Sequence, residues 1–311
     1  MGVIEAHGLT KRYENTLALD GLELDIPRGE IYGFLGPNGA GKTTTIRLLL
    51  GLHRPSAGSV RIADRDAWSD PVAAHRYCAY VASEATLWPG LTGAETFEYL
   101  ENLRGGCDRA YRDTLIERFD FDPDKKVRAL SKGNRQKIQL VAAFATRADI
   151  LILDEPTSGL DPLMEAAFRE TVIEARDRAQ TVFLSSHVLS EVEAVCDRVG
   201  ILRAGRLVDE GTLEQLRHLS ARTVEVNFAT ADVDLEPLRR LGGVEVGEAT
   251  DHHVALQVRG EMGPLLAALT RLPVTTIDSR EPSLEEIFLI HYHGDAGSSG
   301  TPDGAVPVPV R

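Results

Sequence analysis

The stretch Ile31-Tyr32-Gly33-Phe34-Leu35-Gly36-Pro37-Asn38-Gly39-Ala40-Gly41-Lys42-Thr43-Thr44 constrains the fold more than any other part of this 311-residue chain. It reads as a short apolar strand, a glycine-rich turn and a helix that opens at Lys42. The turn matches G-x-x-x-x-G-K-[ST], which by average residue usage arises by accident in about one chain in a hundred of this length. Gly36, Gly39 and Gly41 let the backbone turn its N–H groups inward with no Cβ in the way of a phosphate. Pro37, Asn38 and Ala40 fill the rest of the turn, and its donors sit at a helix N-terminus whose dipole already favours an anion. Lys42 is placed to reach β- and γ-phosphates, and the Thr43 hydroxyl, with Thr44 beside it, is placed for Mg²⁺. The ligand this implies is a nucleoside triphosphate with its metal.

A second constellation lies about a hundred residues on. Ile150-Leu151-Ile152-Leu153 is continuously apolar, as a strand buried on both faces must be, and it ends in Asp154-Glu155. Ligands of parallel sheets sit beyond the carboxyl ends of the strands, so both acids point where a nucleotide would lie. Asp154 suits Mg²⁺ held through water, and Glu155 suits a general base for an attacking water. Thr181–Ser186 reads as a neighbouring strand, which puts His187 at the same edge, within reach of a γ-phosphate.

Length leaves room for two domains. Residues 1–220 carry the motifs, starting with alternating strands at 3–6 and 22–26 and closing with a hairpin at 199–208. A helical stretch interrupts the strands at about 84–146, with the basic cluster 125–137 inside it as a solvated helix end. At its C-terminal part Leu130-Ser131-Lys132-Gly133-Asn134 leads into an apolar helix. Ser131 is a plausible N-cap and Gly133 keeps the entrance free of side chains; a helix start and nothing more is the competing reading. From 221 to 293 alternating strands at 224–228, 254–258 and 274–277, with helices at 264–272 and 283–290, make a small accessory domain. Residues 294–311 are a Gly/Ser/Pro tail expected to be disordered.

No run approaches 18 apolar residues, so no membrane span is expected, and MGVIEAHGLT lacks the look of a secretory signal. Cys78, Cys107 and Cys196 have neither metal-ligand nor disulfide spacing, which makes the cytoplasm the natural compartment. A formal net charge of −13 speaks against a nucleic-acid partner.

Together these stretches resemble the ATP-binding subunit of ABC transporters over roughly residues 3–220. GPNGAGKTT (36–44) stands as the phosphate loop, LSKGN (130–134) as the signature, ILILDE (150–155) as the acidic strand and Ser158-Gly159-Leu160-Asp161 as the D-loop. His187 stands as the switch histidine and Tyr13 as the adenine-stacking aromatic. The resemblance implies an α/β fold: a phosphate-loop ATPase core with an antiparallel β subdomain, an inserted helical subdomain and the small C-terminal α+β accessory domain. It implies ATP and Mg²⁺ as cofactors, with Lys42, Glu155 and His187 at the chemistry. It also implies a head-to-tail homodimer in which Ser131 and Gly133 of one subunit cap the γ-phosphate held by the other. The single cassette and the ending Pro282-Ser283-Leu284-Glu285-Glu286-Ile287-Phe288 look like the drug- and antibiotic-exporter group, whose subunits pair with a separately encoded integral membrane permease. The chain is then peripheral on the inner face of the cell membrane, with the coupling surface in Trp88–Tyr99.

Two positions depart from the family pattern. The usual metal-binding glutamine after the strand 77–82 is replaced by Ser83, with Glu84 next, and the signature carries Lys132 and Asn134 for glycine and glutamine. Two other readings compete. A soluble ABC protein of translation or DNA repair usually has two cassettes, a coiled-coil insertion or zinc cysteines, none of which is present here. A degenerate cassette that only binds nucleotide sits badly with intact Lys42, Asp154, Glu155 and His187.

Overall fold

The computed structural model describes residues 2–84, 86–219, 221–231 and 233–293. The tail expected at 294–311 lies outside them. The chain divides into two compact units, the first ending at Leu216 and the second beginning at Arg217.

In the first unit β1 (Ile4–Tyr13) and β2 (Thr16–Ile26) form a long antiparallel hairpin, from Ile4↔Ile26 at its base to Tyr13↔Thr16 at its tip. Alternation predicts only the base of this hairpin. Towards the tip three register shifts break the period of two, so the pairing there leaves no pattern in the side chains. β4 (Ala57–Ile62) pairs with the free edge of β1, and the two-residue β5 (Arg65–Asp66) completes the sheet.

The second sheet holds the site. Its order is β10-β9-β3-β8-β7-β6, built from β3 (Ile31–Leu35), β6 (Cys78–Val81), β7 (Ile150–Asp154), β8 (Thr181–Ser186), β9 (Arg198–Arg203) and β10 (Arg206–Thr212). All neighbours run parallel except β10, which turns back on β9 as a hairpin at Ala204-Gly205. Every residue of β3, β7 and β8 is buried, which is why their sequences show no alternation. Phe34 and Phe183 meet across the β3–β8 pair with ring centroids 5.2 Å apart. Burying each such side chain contributes roughly 1.5–3 kcal/mol. The register places Leu35 opposite Ser186, and Asp154 opposite Ser185, so the phosphate loop, the two acids and His187 leave the sheet at one edge.

Helix α1 (Lys42–Leu49) follows the phosphate loop, and its apolar side joins a core with β1, β2, β4 and one face of the parallel sheet, including Ile46, Leu48, Ile152 and Phe183. A short α2 (Pro71–His75) precedes β6. The helical insertion consists of α3 (Gly93–Arg104), α4 (Arg109–Arg118), a 3-10 turn at Val127–Ala129 and α5 (Lys132–Ala145). Helix α3 opens with a capping box in which Thr92 and Glu95 satisfy each other's backbone N–H. Asp161 caps α6 (Pro162–Asp177), and α7 (Leu189–Val195) follows β8.

The division between the units falls within α8 (Leu213–Leu219). The second unit is an antiparallel sheet of order β12-β13-β11-β14, from β11 (Arg222–Phe228), β12 (Val244–Ala249), β13 (His253–Val258) and β14 (Val274–Arg280). Between them come α9 (Glu236–Arg239) and α10 (Gly263–Leu269), and α11 (Leu284–His293) ends the described chain. Val224, Val226, Phe228, Val254 and Leu256 pack with Leu265 and Leu269 into a separate core. The sequence reading expects three strands and two helices here. It does not anticipate β12, an edge strand whose apolar–polar alternation covers only Val244–Val246 before Gly247.

Candidate nucleotide site

The phosphate loop is shaped by close backbone packing as much as by room for a ligand. Gly41 is the N-cap of α1 at φ 117°, and no side chain caps the helix. A Cβ on Gly41 would stand 2.8 Å from the Ala18 carbonyl, and one on Gly36 would stand 2.7 Å from that of Leu202. These two glycines therefore let the loop lie against β2 and β9, a reason the sequence reading assigns wholly to phosphate. Gly39, at φ 82°, is the one of the three that faces open space. The uncapped N–H groups of α1 remain available to an anion.

Lys42 is buried, yet its ammonium is well partnered. It donates to the Gly36 carbonyl at 2.6 Å and the Pro37 carbonyl at 3.3 Å, and it stands 3.7 Å from Glu155 Oε1. Burial lowers its pKa, and Glu155 and Asp154 work against that shift. Thr43 is exposed in the first turn of α1 and Thr44 half-buried.

Asp154 ends β7 almost fully buried. Its Oδ1 accepts a hydrogen bond from Ser185 Oγ at 2.6 Å, while Oδ2 is buried without a partner. Burial raises its pKa above the usual carboxylate value; Ser185 lowers it, and the neighbouring Glu155 charge raises it again. Glu155 adopts the left-handed conformation at φ 46°, uncommon for a residue with a Cβ and a mark of a locally strained turn. The Ser185 carbonyl fixes it by accepting its N–H at 3.0 Å. Its Oε1 also meets His187 Nδ1 at 3.2 Å. Lys42, Glu155 and His187 thus form one line of contacts across the edge of the sheet.

The other expected positions fall into separate groups. Ser131 caps α5, its Oγ accepting from the Asn134 N–H at 3.2 Å. Lys132 Nζ donates to Ser158 Oγ at 2.9 Å, and a Cβ on Gly133 would lie 2.3 Å from the Gly159 carbonyl. The 131–134 segment is therefore packed on the 158–161 turn, of which Leu160 is half-buried and Asp161 caps α6. Among the described residues no hydrogen bond or ion pair links 131–134 to the phosphate loop. Tyr13 sits half-exposed at the tip of the β1–β2 hairpin, its hydroxyl bonded to His53 Nδ1 and its ring 4.8 Å from Lys11 Nζ. Ser83 and Glu84 lie in a bend after β6, and among the described residues no hydrogen bond joins either to Asp154 or to the loop. What holds this bend is Ala82, whose N–H donates to Gln139 Oε1 at 3.2 Å and whose carbonyl accepts from Gln136 Nε2 at 3.3 Å.

Ser185 and Gln136 were not singled out by the sequence reading. The signal for Ser185 was faint: it is one of three buried hydroxyls in β8, with Thr181 at the start and Ser186 beside it at the end. Gln136, fully buried, also donates to the Pro156 carbonyl at 3.2 Å and so ties α5 to the turn after Glu155.

Comparison with known proteins gives this geometry a family. Residues 19–158 match the model described as ABC transporter, and residues 211–292 the model described as ATP-binding protein DrrA1-3-like, C-terminal domain. The daunorubicin/doxorubicin resistance ATP-binding protein DrrA of Streptomyces peucetius is 33% identical over 97% of this chain and 96% of its own. The bacitracin transport ATP-binding protein BcrA of Enterococcus faecalis is 30% identical over 92% of this chain and 95% of its own. Among solved structures, an ATP-binding subunit of an ABC transporter superposes with a TM-score of 0.65 at 31% identity, covering 69% of this chain and 92% of that one. A dimeric ATP-binding cassette bound to ADP and Pi shares the fold at a TM-score of 0.62 and 23% identity, over 68% of this chain and 98% of that one. This chain belongs to the ABC transporter ATP-binding proteins, and is an ATPase subunit of that family.

Proposed function

We propose that this subunit powers an exporter of drugs or other hydrophobic compounds, closing as a head-to-tail homodimer around ATP and driving a separate permease in the membrane. The line Lys42–Glu155–His187 carries the enzymatic half of this reading, because it sets a cation, a carboxylate and an imidazole beside an anion-binding loop. The resistance and bacitracin-transport roles named for relatives across nearly the whole chain support the export half.

In this reading backbone N–H groups of the loop 38–44 and the Lys42 ammonium hold the β- and γ-phosphates. Glu155 takes the proton of the attacking water, and His187, 3.2 Å away, orients that carboxylate and faces the γ-phosphate. Mg²⁺ fits the residues present: Asp154 keeps a buried oxygen unpartnered, and Thr43 offers an exposed hydroxyl. Mg²⁺ is usually held by one or two carboxylates with substrate phosphates and waters, and Asp154 is the carboxylate this site offers. Bound there, it would neutralise charge on the phosphate oxygens. Ser83 or Glu84 is the remaining candidate for its shell. Ser131 and Gly133, at the N-terminus of α5, face the nucleotide of the other subunit, and Ser158–Asp161 lies at that junction. The Tyr13 ring stacks on the adenine.

No helix among the described residues is long and apolar enough to cross a membrane. The transport role named for relatives supports a subunit peripheral on the inner face of the cell membrane, where it meets the permease. The coupling surface lies in the helical insertion. There Trp88 and Tyr99 meet edge to face at 4.5 Å, both about half-exposed, beside a cavity of about 250 Å³ lined by Tyr80, Trp88, Phe97 and Gln139. Exposed aromatics around a concave surface are what a protein partner buries. Nucleic acid is not a partner in this reading, given the net charge of −13.

Co-purification from host membranes tests it, comparing wild type with Glu155→Gln in the presence of ATP. A polytopic membrane protein recovered with the variant supports the exporter reading. Ribosomes or DNA, with no membrane protein, would replace it with a soluble role.

A further inference from the structure

Glu191, in the first turn of α7, is a buried carboxylate whose hydrogen-bond partners are hydroxyls rather than cations. Its Oε2 accepts from Thr157 Oγ1 at 2.8 Å and from Ser186 Oγ at 3.2 Å. Thr157 belongs to the turn that begins with Glu155, and Ser186 is the last residue of β8, directly before His187. Ser186 Oγ also accepts from the Val188 N–H at 2.9 Å, so the chain on both sides of His187 folds around that hydroxyl. The titratable groups facing Glu191 are Glu165 of α6 and His187, and burial holds its carboxyl above the usual value. Glu155, Thr157, His187 and Glu191 together border a cleft of about 270 Å³. A carboxylate taken out of water without a cation is costly, and an apolar side chain would fill the same space more cheaply. Its place between the two strand ends is what the cost secures.

We infer that Glu191 is a positioning residue for ATP hydrolysis, strapping the turn that carries Glu155 to the strand end that carries His187. The inference rests on the ATPase reading and adds to it a residue that touches neither nucleotide nor metal. Without the strap the left-handed turn at Glu155 and the 3.2 Å contact with His187 lose their common anchor. The ground state of bound ATP does not need that contact, because the phosphate loop holds it; proton removal from water does.

The test uses the full chain with Mg²⁺ and ATP. Steady-state hydrolysis is measured for wild type, Thr157→Val, Glu191→Ala and Glu191→Gln, with melting temperatures taken alongside. Thr157→Val removes one hydroxyl at nearly constant volume, which keeps a folded variant in hand if Glu191→Ala does not fold. A buried hydrogen bond of ordinary strength corresponds to a loss in kcat of about tenfold for Thr157→Val, while KM for ATP stays within about twofold. Glu191→Gln recovers most of the rate, since its amide oxygen accepts the same two hydroxyls. In a His187→Ala background Thr157→Val adds little, because the contact it supports is already gone. A wild-type kcat in Thr157→Val, or a full tenfold loss that persists in the His187→Ala background, overturns the strap alone. A wild-type chain without ATPase activity overturns the strap and the enzymatic reading together.

Discussion

The Lys42 ammonium stands 3.7 Å from the Glu155 carboxylate, the lysine side chain 5% and the glutamate 23% exposed. The cation proposed for phosphate is thus paired with the carboxylate proposed for water. In the proposed site a γ-phosphate held by Lys42 lies close to that negative charge.

Neutralising Glu155 removes that negative charge and the proposed base at once. Glu155→Gln lowers kcat by about 10²–10⁴-fold, the usual contribution of a positioned general base, while ATP binds at least as tightly as to wild type. Lys42→Ala does the opposite and loses ATP affinity. Single-turnover hydrolysis and equilibrium nucleotide binding separate the two. Weaker ATP binding by Glu155→Gln would contradict this account of the pair.

Gly133 is required by the Gly159 carbonyl rather than by phosphate alone. In Gly133→Ala a Cβ 2.3 Å from that oxygen forces the 158–161 turn away from α5. Overpacking of this kind costs about 1–3 kcal/mol, and hydrolysis falls by about tenfold or more because the displaced turn begins two residues after Pro156. Gly242→Ala is the control, since its Cβ meets nothing within 4 Å. Denaturant unfolding of the two variants, with ATPase rates, checks both parts.

The Tyr13 ring and its hydroxyl serve different ends. The hydroxyl is bonded to His53 Nδ1, and the half-exposed ring is what a base would stack on. Tyr13→Phe keeps the face and raises KM for ATP by no more than about threefold. Tyr13→Ala raises it by about tenfold, in line with the 1–3 kcal/mol of a base–aromatic stack. Titration with a fluorescent nucleotide analogue distinguishes the two, and equal affinities would remove Tyr13 from the site.

What was legible in the sequence follows from how each feature is held. The phosphate loop, Asp154-Glu155 and His187 are read directly because each ends an apolar strand, and strand ends in a parallel sheet share an edge. Ser185, Gln136 and Glu191 bond to residues 20 or more positions away, Asp154, Pro156 and Thr157, and a polar side chain with polar neighbours in sequence does not name such a partner. The tie between Gly133 and Gly159 is invisible for the same reason, since a glycine gives no sign of what crowds it. In the second unit β12 was missed because its alternation, Val244-Glu245-Val246, is cut short at Gly247, where the pairing with β13 also shifts register.

Asp154 shows how this site trades stability for chemistry. Its pKa is raised by burial, and its Oδ2 has no partner in the chain, so the ionised form is disfavoured in the folded protein. The sign follows from linkage. A carboxyl whose folded pKa exceeds its unfolded value lowers stability at pH above both, and that penalty fades as pH falls through the folded pKa towards the unfolded one. Asp154→Asn, which still accepts from Ser185, is therefore more stable than wild type at neutral pH by roughly 1 kcal/mol. The gap narrows as the medium is made acidic, and the variant loses Mg²⁺-dependent hydrolysis. Melting curves from pH 4 to pH 8, taken without nucleotide, measure the difference. A variant less stable than wild type at neutral pH, or a gap that widens on acidification, would show that the buried carboxylate is well accommodated and that Oδ2 is not held in reserve for a metal.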